Sequence, residues 1–134
     1  MVRPLKIGYR QLLEEAAREV KSLSPAEAQR MVADGTAMIV DIRDVRELER
    51  EGRIPGSIHA PRGMLEFWVD PESPYFKTVF GEEKTLVLHC ASGWRSLLAA
   101  KQLQAMGLDV VDLKGGFAAW KDAGGSTEPY PKKS

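Results

Sequence analysis

The 134-residue chain holds one cysteine, Cys90, and two histidines, His59 and His89. A single cysteine excludes an internal disulfide framework and any multi-cysteine metal centre. Two histidines argue against a zinc site built by the protein alone. Charge of one sign is also missing. Nineteen basic residues balance nineteen acidic ones, which speaks neither for a nucleic-acid surface nor for an acidic disordered chain. Residues 1–20 carry charges throughout and lack a continuous apolar core. That reads as neither a signal peptide nor a membrane span. The expected location is the cytoplasm, which suits a reduced thiol. No internal repeat or linker divides the chain, and its length suits one domain with a core that needs no staples.

What is present centres on residues 86–96. Leu86, Val87 and Leu88 form an apolar run that reads as a buried parallel strand. Leu97, Leu98, Ala100, Lys101, Leu103 and Gln104 follow with helical spacing, closed by Gly107. Cys90 lies between the two, at the carboxyl end of a strand, where open α/β sheets place ligands. Ser92 and Gly93 permit a tight curl, so the backbone of Ala91, Ser92, Gly93 and Trp94, with the helix N-terminus, can host an anion. A thiol there is expected as the nucleophilic thiolate. Arg95 adds a cation at a helix start, a position unfavourable unless it serves an anion. Trp94 is placed to shape the mouth. Ser96 either hydrogen-bonds the sulfur or caps the helix. His89, one residue before Cys90 on a strand, should point to the opposite face. It is read as a packing or orienting group, not a general base.

Along the chain, residues 8–20 read as an amphipathic helix with Leu12, Leu13, Ala16, Ala17 and Val20 on one face. The expectation is packing onto the domain, with partner docking as the alternative. Residues 20–23 suggest a short strand. Ser24-Pro25 and Glu27 then start a helix that stops near Gly35. Residues 37–42 form an apolar strand, and Asp44 and Glu47 open a second short helix ending at Gly52. Residues 52–61 read as a turn and edge strand. Residues 64–69 suggest a short helix, followed by an aromatic loop to Phe80. That loop is either pinned by its own aromatics or forms a wall of the site. Residues 109–113 are a last strand, and Gly115-Gly116 leads into a short helix ending in Trp120. The alternation predicts an α/β fold: an open, mainly parallel central sheet of about five strands with helices on both faces.

The spacing Cys90-x4-Arg95-Ser96 is one residue shorter than the His-Cys-x5-Arg-Ser/Thr loop of cysteine phosphatases. It resembles the loop of rhodanese-type sulfurtransferases. Asp41-x-Arg43, Gly52-x-Ile54-Pro55-Gly56 and Gly115-Gly116-Phe117-x2-Trp120 stand in that family's order with similar gaps. The resemblance is to a single-domain rhodanese over residues 20–124. Residues 1–19 are then a helical extension and 125–134 a flexible tail. It implies that Cys90 carries a sulfane sulfur as a persulfide, taken from a donor such as thiosulfate and given to cyanide, a thiol or a protein acceptor, with no cofactor or metal required. Arg95 would act with Cys90. Asp41 would support the loop from below. Arg43 would brace it or lie near the pocket, and Arg62 would add charge at the mouth or face solvent. Two other readings stay open: a sulfur-carrier or interaction module serving a protein partner, and a cysteine phosphatase.

Overall fold

The computed structural model of the chain describes residues 2–131. Its five strands are β1 (Ser22–Leu23), β2 (Ala37–Asp41), β3 (Ile58–His59), β4 (Thr85–His89) and β5 (Val110–Leu113). They form one sheet in the order β1-β5-β4-β2-β3, and every pairing is parallel. The expected α/β architecture is therefore present. The helices are α1 (Tyr9–Glu19), α2 (Pro25–Ala33), α3 (Val45–Glu51), α4 (Leu65–Val69), α5 (Trp94–Ala105) and α6 (Gly116–Asp122).

The local signals hold. Ser24 and Asp44 each form a reciprocal capping box, with Glu27 and Glu47. These bonds satisfy amides that a helix start leaves without partners. β4 sits between β5 and β2, and its alternation splits the core. Leu86, Leu88 and Cys90 join Met38, Val40, Ala99, Ala100 and Leu103 on one face. Val87 joins Ile39, Val111, Phe117 and Trp120 on the other. Two-residue alternation also assigns the polar groups: Asp112 shares the face of Cys90, while Asp41 and His89 lie opposite.

Two expectations change, the width of the α1 stripe and the fate of residues 125–131. α1 does pack on the domain, along α5. Lys101 pairs with Glu15 and Glu19, and the Gln104 amide donates to the Glu19 carbonyl at 2.9 Å. The buried positions are Ala16 and Val20, with Leu13 half-buried, whereas Leu12 and Ala17 are exposed. The stripe is thus narrower than expected.

The aromatic loop is pinned chiefly by its own side chains. Phe80 is buried, and Trp68 and Phe76 pack against the core.

Residues 125–131, expected as a flexible tail, fold back onto the domain. Arg53 and Glu128 form an antiparallel bridge and an ion pair at 2.8 Å. Trp120 Nε1 donates to the Ser126 carbonyl at 2.8 Å, and Tyr130 lies edge-on to His59. The composition is polar, but the fixing contacts come largely from the backbone. The rest of that expected tail, residues 132–134, lies outside the described residues.

Candidate functional site

The chain leaves β4 at His89, turns through residues 90–93 and enters α5 at Trp94. Gly93 makes the turn with φ 113°, left-handed backbone that a side chain would disfavour. This conformation directs the Gly93 N–H to the Cys90 sulfur, with N···Sγ 3.2 Å. The first amides of α5 have no carbonyl partner within the helix, so its positive end opens beside the sulfur. Cys90 itself is 1 % exposed: the sulfur lies on the floor of the loop, not at its rim. Trp94, at the rim, is 60 % exposed and packs against Tyr9 of α1 with ring centroids 5.2 Å apart. The N-terminal helix therefore reaches the mouth.

Ser96 faces the sulfur, with Sγ···Oγ 3.5 Å. Its hydroxyl donates to Asp112 Oδ1 at 2.6 Å, and Ser22 Oγ meets the other carboxylate oxygen at 3.4 Å. Burial raises the Asp112 carboxyl to about 6, against the opposing pull of the two serine hydroxyls.

Arg95 points sideways. Its guanidinium donates to both oxygens of Glu47, at 2.7 and 3.0 Å, a bidentate fork on α3. That bond holds the Glu47 carboxyl below its ordinary range and raises the Arg95 guanidinium further.

Beneath the loop lies a second polar layer. The Arg43 guanidinium is fully buried. It donates to Asp41 at 2.8 Å and to the Gly52 carbonyl at 2.8 Å, and it stacks over the Phe117 ring at 4.2 Å. Arg43 thus braces the turn from below, one of the two places expected for it, tied to Asp41 and the Gly52 carbonyl. His59 Nε2 donates to the Arg43 carbonyl at 2.7 Å. His89 stacks on Phe117, and burial holds its imidazole below the ordinary value, against the pull of Asp41. α6 grips the loop from behind: Phe117 N–H donates to the Cys90 carbonyl at 2.9 Å and Ala118 N–H to the Ala91 carbonyl at 3.2 Å. This fit needs glycine at 116. A Cβ there would stand 2.6 Å from the Cys90 oxygen and 2.8 Å from the Ala91 oxygen.

The structure thus brings Cys90, Ala91, Ser92 and Gly93 of the loop together with Trp94, Arg95 and Ser96 of the first turn of α5, with Asp41 below them. Arg62 is exposed and lines a cleft along the flank of α5 with Leu98, Ala99 and Gln102, apart from the loop's interior. Among the described residues, no three His, Cys, Asp or Glu side chains cluster as a metal site would require. Nor is any helix among them long and apolar enough to cross a membrane.

The family model described as "Rhodanese-like domain" matches residues 24–123. The chain belongs to the rhodanese-like family. Within that family it is 30 % identical over 112 residues to YtwF of Bacillus subtilis (strain 168), provisionally named a sulfurtransferase, covering 83 % of this chain and 97 % of that one. It is 30 % identical over 92 residues to the thiosulfate:glutathione sulfurtransferase of Homo sapiens, covering 64 % of this chain and 79 % of that one. A solved structure from Rhodopseudomonas palustris CGA009, of a protein of unknown function described as a possible tyrosine phosphatase, matches with TM-score 0.90 and 50 % identity. It covers 96 % of this chain and 99 % of that one, so α1 is part of the likeness although it lies outside the rhodanese-like match.

Two residues of this rhodanese-like site escape a reading by motif. Glu47 serves as the helix cap that its spacing predicts, and also as the clamp on Arg95. Asp112 carried its signal openly: a carboxylate in the apolar run Val110-Val111-Asp112-Leu113 is costly to bury without a partner.

Proposed function

We propose that the protein transfers a sulfane sulfur, carrying it on Cys90 as a persulfide. The observation that supports this most directly is the Gly93 N–H at 3.2 Å from Sγ, inside a loop of six residues from Cys90 to Arg95. In the first step the Cys90 thiolate attacks the outer sulfur of a thiosulfate-like donor. The donor's S–S bond breaks, the Cys90 S–S bond forms and sulfite departs. In the second, a thiol or cyanide attacks the outer sulfur and Cys90 leaves as thiolate.

Ala91, Ser92, Gly93 and Trp94 carry no charge, and Arg95 is neutralised by Glu47. The anionic sulfur and the departing sulfite are therefore hosted chiefly by preorganised amides at the start of α5, with the Arg95 fork as a fixed wall. Greater thiolate population is not enough by itself, because nucleophilicity falls as acidity rises. The human relative's name supports the substrate class: a sulfane donor and a low-molecular-weight thiol acceptor. A reduced cytoplasmic setting fits such chemistry, and a protein acceptor is the main variant of the scheme.

The R. palustris description favours a second reading, a cysteine phosphatase using the same nucleophile. The short loop weighs against it, because one residue fewer between Cys90 and Arg95 leaves less room to wrap a phosphoryl group. Intact mass measurement separates the readings. Thiosulfate should add one sulfur atom to the wild type, cyanide should remove it, and Cys90→Ser should take up none. Turnover of an aryl phosphate with no sulfur uptake would refute the transferase reading.

A further inference from the structure

We propose that Asp112 holds the proton that Cys90 gives up, received through the Ser96 hydroxyl, as a positioning and proton-storing residue in the sulfur cycle. The inference rests on Cys90 being the sulfur carrier. Three elements bring the groups together: the end of β4, the first turn of α5 and β5. Ser96 is fully buried, Cys90 is 1 % and Asp112 4 % exposed. The Ser96 Oγ to Asp112 Oδ1 distance of 2.6 Å assigns the hydroxyl's one proton to the carboxylate. The Ser96 lone pairs are left for the Cys90 thiol at 3.5 Å.

A double hop follows from this order. The Cys90 S–H bond breaks and its proton joins Ser96 Oγ, while the Ser96 O–H proton joins Asp112 Oδ1. The result is a thiolate receiving the Ser96 O–H and the Gly93 N–H, a restored hydroxyl, and a neutral carboxylic acid. No net charge is created, whereas two adjacent anions in this buried space would repel. When the acceptor has taken the sulfur and Cys90 departs as thiolate, the proton can return by the same route.

Neither histidine competes for this role. His89 lies on the opposite face of the sheet, and His59 is committed to the Arg43 carbonyl. The groups facing Asp112 are Ser22 from β1, Ser96 from α5 and Cys90 beyond it. Lys21 meets β5 through its backbone carbonyl. The nearest cation on α5, Arg95, is held by Glu47, and among the described residues none forms an ion pair with Asp112. Burial alone drives the carboxyl upward, to about 6, so it is poised to trade a proton near neutrality.

The test needs no sulfur donor. Infrared spectra across pH follow the neutral-carboxyl band of Asp112, identified by its loss in Asp112→Asn. Thiolate absorbance follows the single cysteine. In Cys90→Ser, which has no proton to give, the band should titrate near pH ~6. In the wild type it should persist at least about half a pH unit higher, with thiolate absorbance rising in two coupled steps. Asp112→Asn should show one step. Ser96→Ala keeps both end groups but removes the hop, so in that background the Cys90→Ser substitution should no longer move the band. Titration at the same pH in wild type and Cys90→Ser overturns the proposal. So does a band shift that survives in Ser96→Ala, because direct repulsion would then account for it. The comparison of wild type with Cys90→Ser does not depend on the Asp112 variant folding. A proton shift without sulfur uptake would refute the transferase reading and leave the relay. Sulfur uptake without the shift would refute the relay alone.

Discussion

Gly116→Ala is the substitution whose cost the structure defines best. Gly116 has φ +63°, and an added Cβ would stand 2.6 and 2.8 Å from the carbonyl oxygens of Cys90 and Ala91. Left-handed backbone costs an alanine about 1–2 kcal/mol. The clash is with backbone, which cannot swing aside, so either α6 or the loop must retreat. Retreat stretches the bonds from Phe117 and Ala118 N–H to those same carbonyls, each worth about 1 kcal/mol net. The expected loss is about 2–4 kcal/mol, or a melting temperature lower by roughly 8–16 °C for a domain of this size. Gly63→Ala is the control, since nothing lies within 4 Å of its added Cβ and its φ is ordinary; it should change stability by no more than about 1 kcal/mol. Calorimetric melts and urea titrations measure both. Sulfur uptake should fall in Gly116→Ala even well below its melting point, because the carbonyls that move belong to the Cys90 turn. A Gly116→Ala protein melting within about 2 °C of wild type would show that α6 does not hold the loop.

Glu47→Gln keeps one acceptor for Arg95 but loses the paired charge. The ion pair is partly exposed, 37 % at Arg95 and 18 % at Glu47, so solvent screens it and stability should change by less than about 1 kcal/mol. The Glu47 carboxyl is lowered in the folded protein. Its contribution is therefore fully present above the unfolded value of about 4.3 and is lost as pH falls through the lowered folded value. Urea titrations of wild type and variant should converge at low pH, whereas sulfur uptake at neutral pH should slow by up to about 10²-fold if the Arg95 fork is misplaced. Uptake unchanged in the variant would show that the clamp has no part in positioning. Deleting residues 2–19 removes Leu13 and Ala16 and uncovers α5, which should cost about 2–4 kcal/mol. A truncated protein as stable and active as the full chain would assign α1 to a partner interface instead.

The strands and helices were legible because their signals are local. An apolar run of strand length, a serine or aspartate at a helix start and a glutamate three residues on each act within one turn of chain. What escaped the sequence depends on contacts between distant positions. Glu47 reads as a complete cap by its spacing to Asp44, and nothing local reveals that its carboxylate also receives Arg95 from 48 residues away. Arg43 could be set near the loop by its motif, but the motif does not say which side of the sheet its guanidinium takes. The face follows from β2, where the two-residue period puts Asp41 opposite Val40, and Arg43 folds back onto Asp41. The stretch after Gly124 looks unstructured by composition, because backbone pairing with Arg53 and the bond to Trp120 leave no trace in residue type.

Strand parity carries more of the site than any motif does. Cys90 follows His89 at the end of β4, and Leu88 pairs in register with Asp112 on β5. Residues paired across a parallel ladder share a face, and Cys90, two residues after Leu88, shares it too. The thiol and the Asp112 carboxylate are thus fixed on one side of the sheet, and Asp41 and His89 on the other. The helix that follows Cys90 then has one residue in its first turn, Ser96, at the height where a hydroxyl spans the two. A one-residue slip of β5 would replace Asp112 by Val111 or Leu113 at that point and remove the carboxylate from the site. The register of two neighbouring strands, more than the length of the loop, therefore decides whether a carboxylate lies one hydroxyl away from the sulfur.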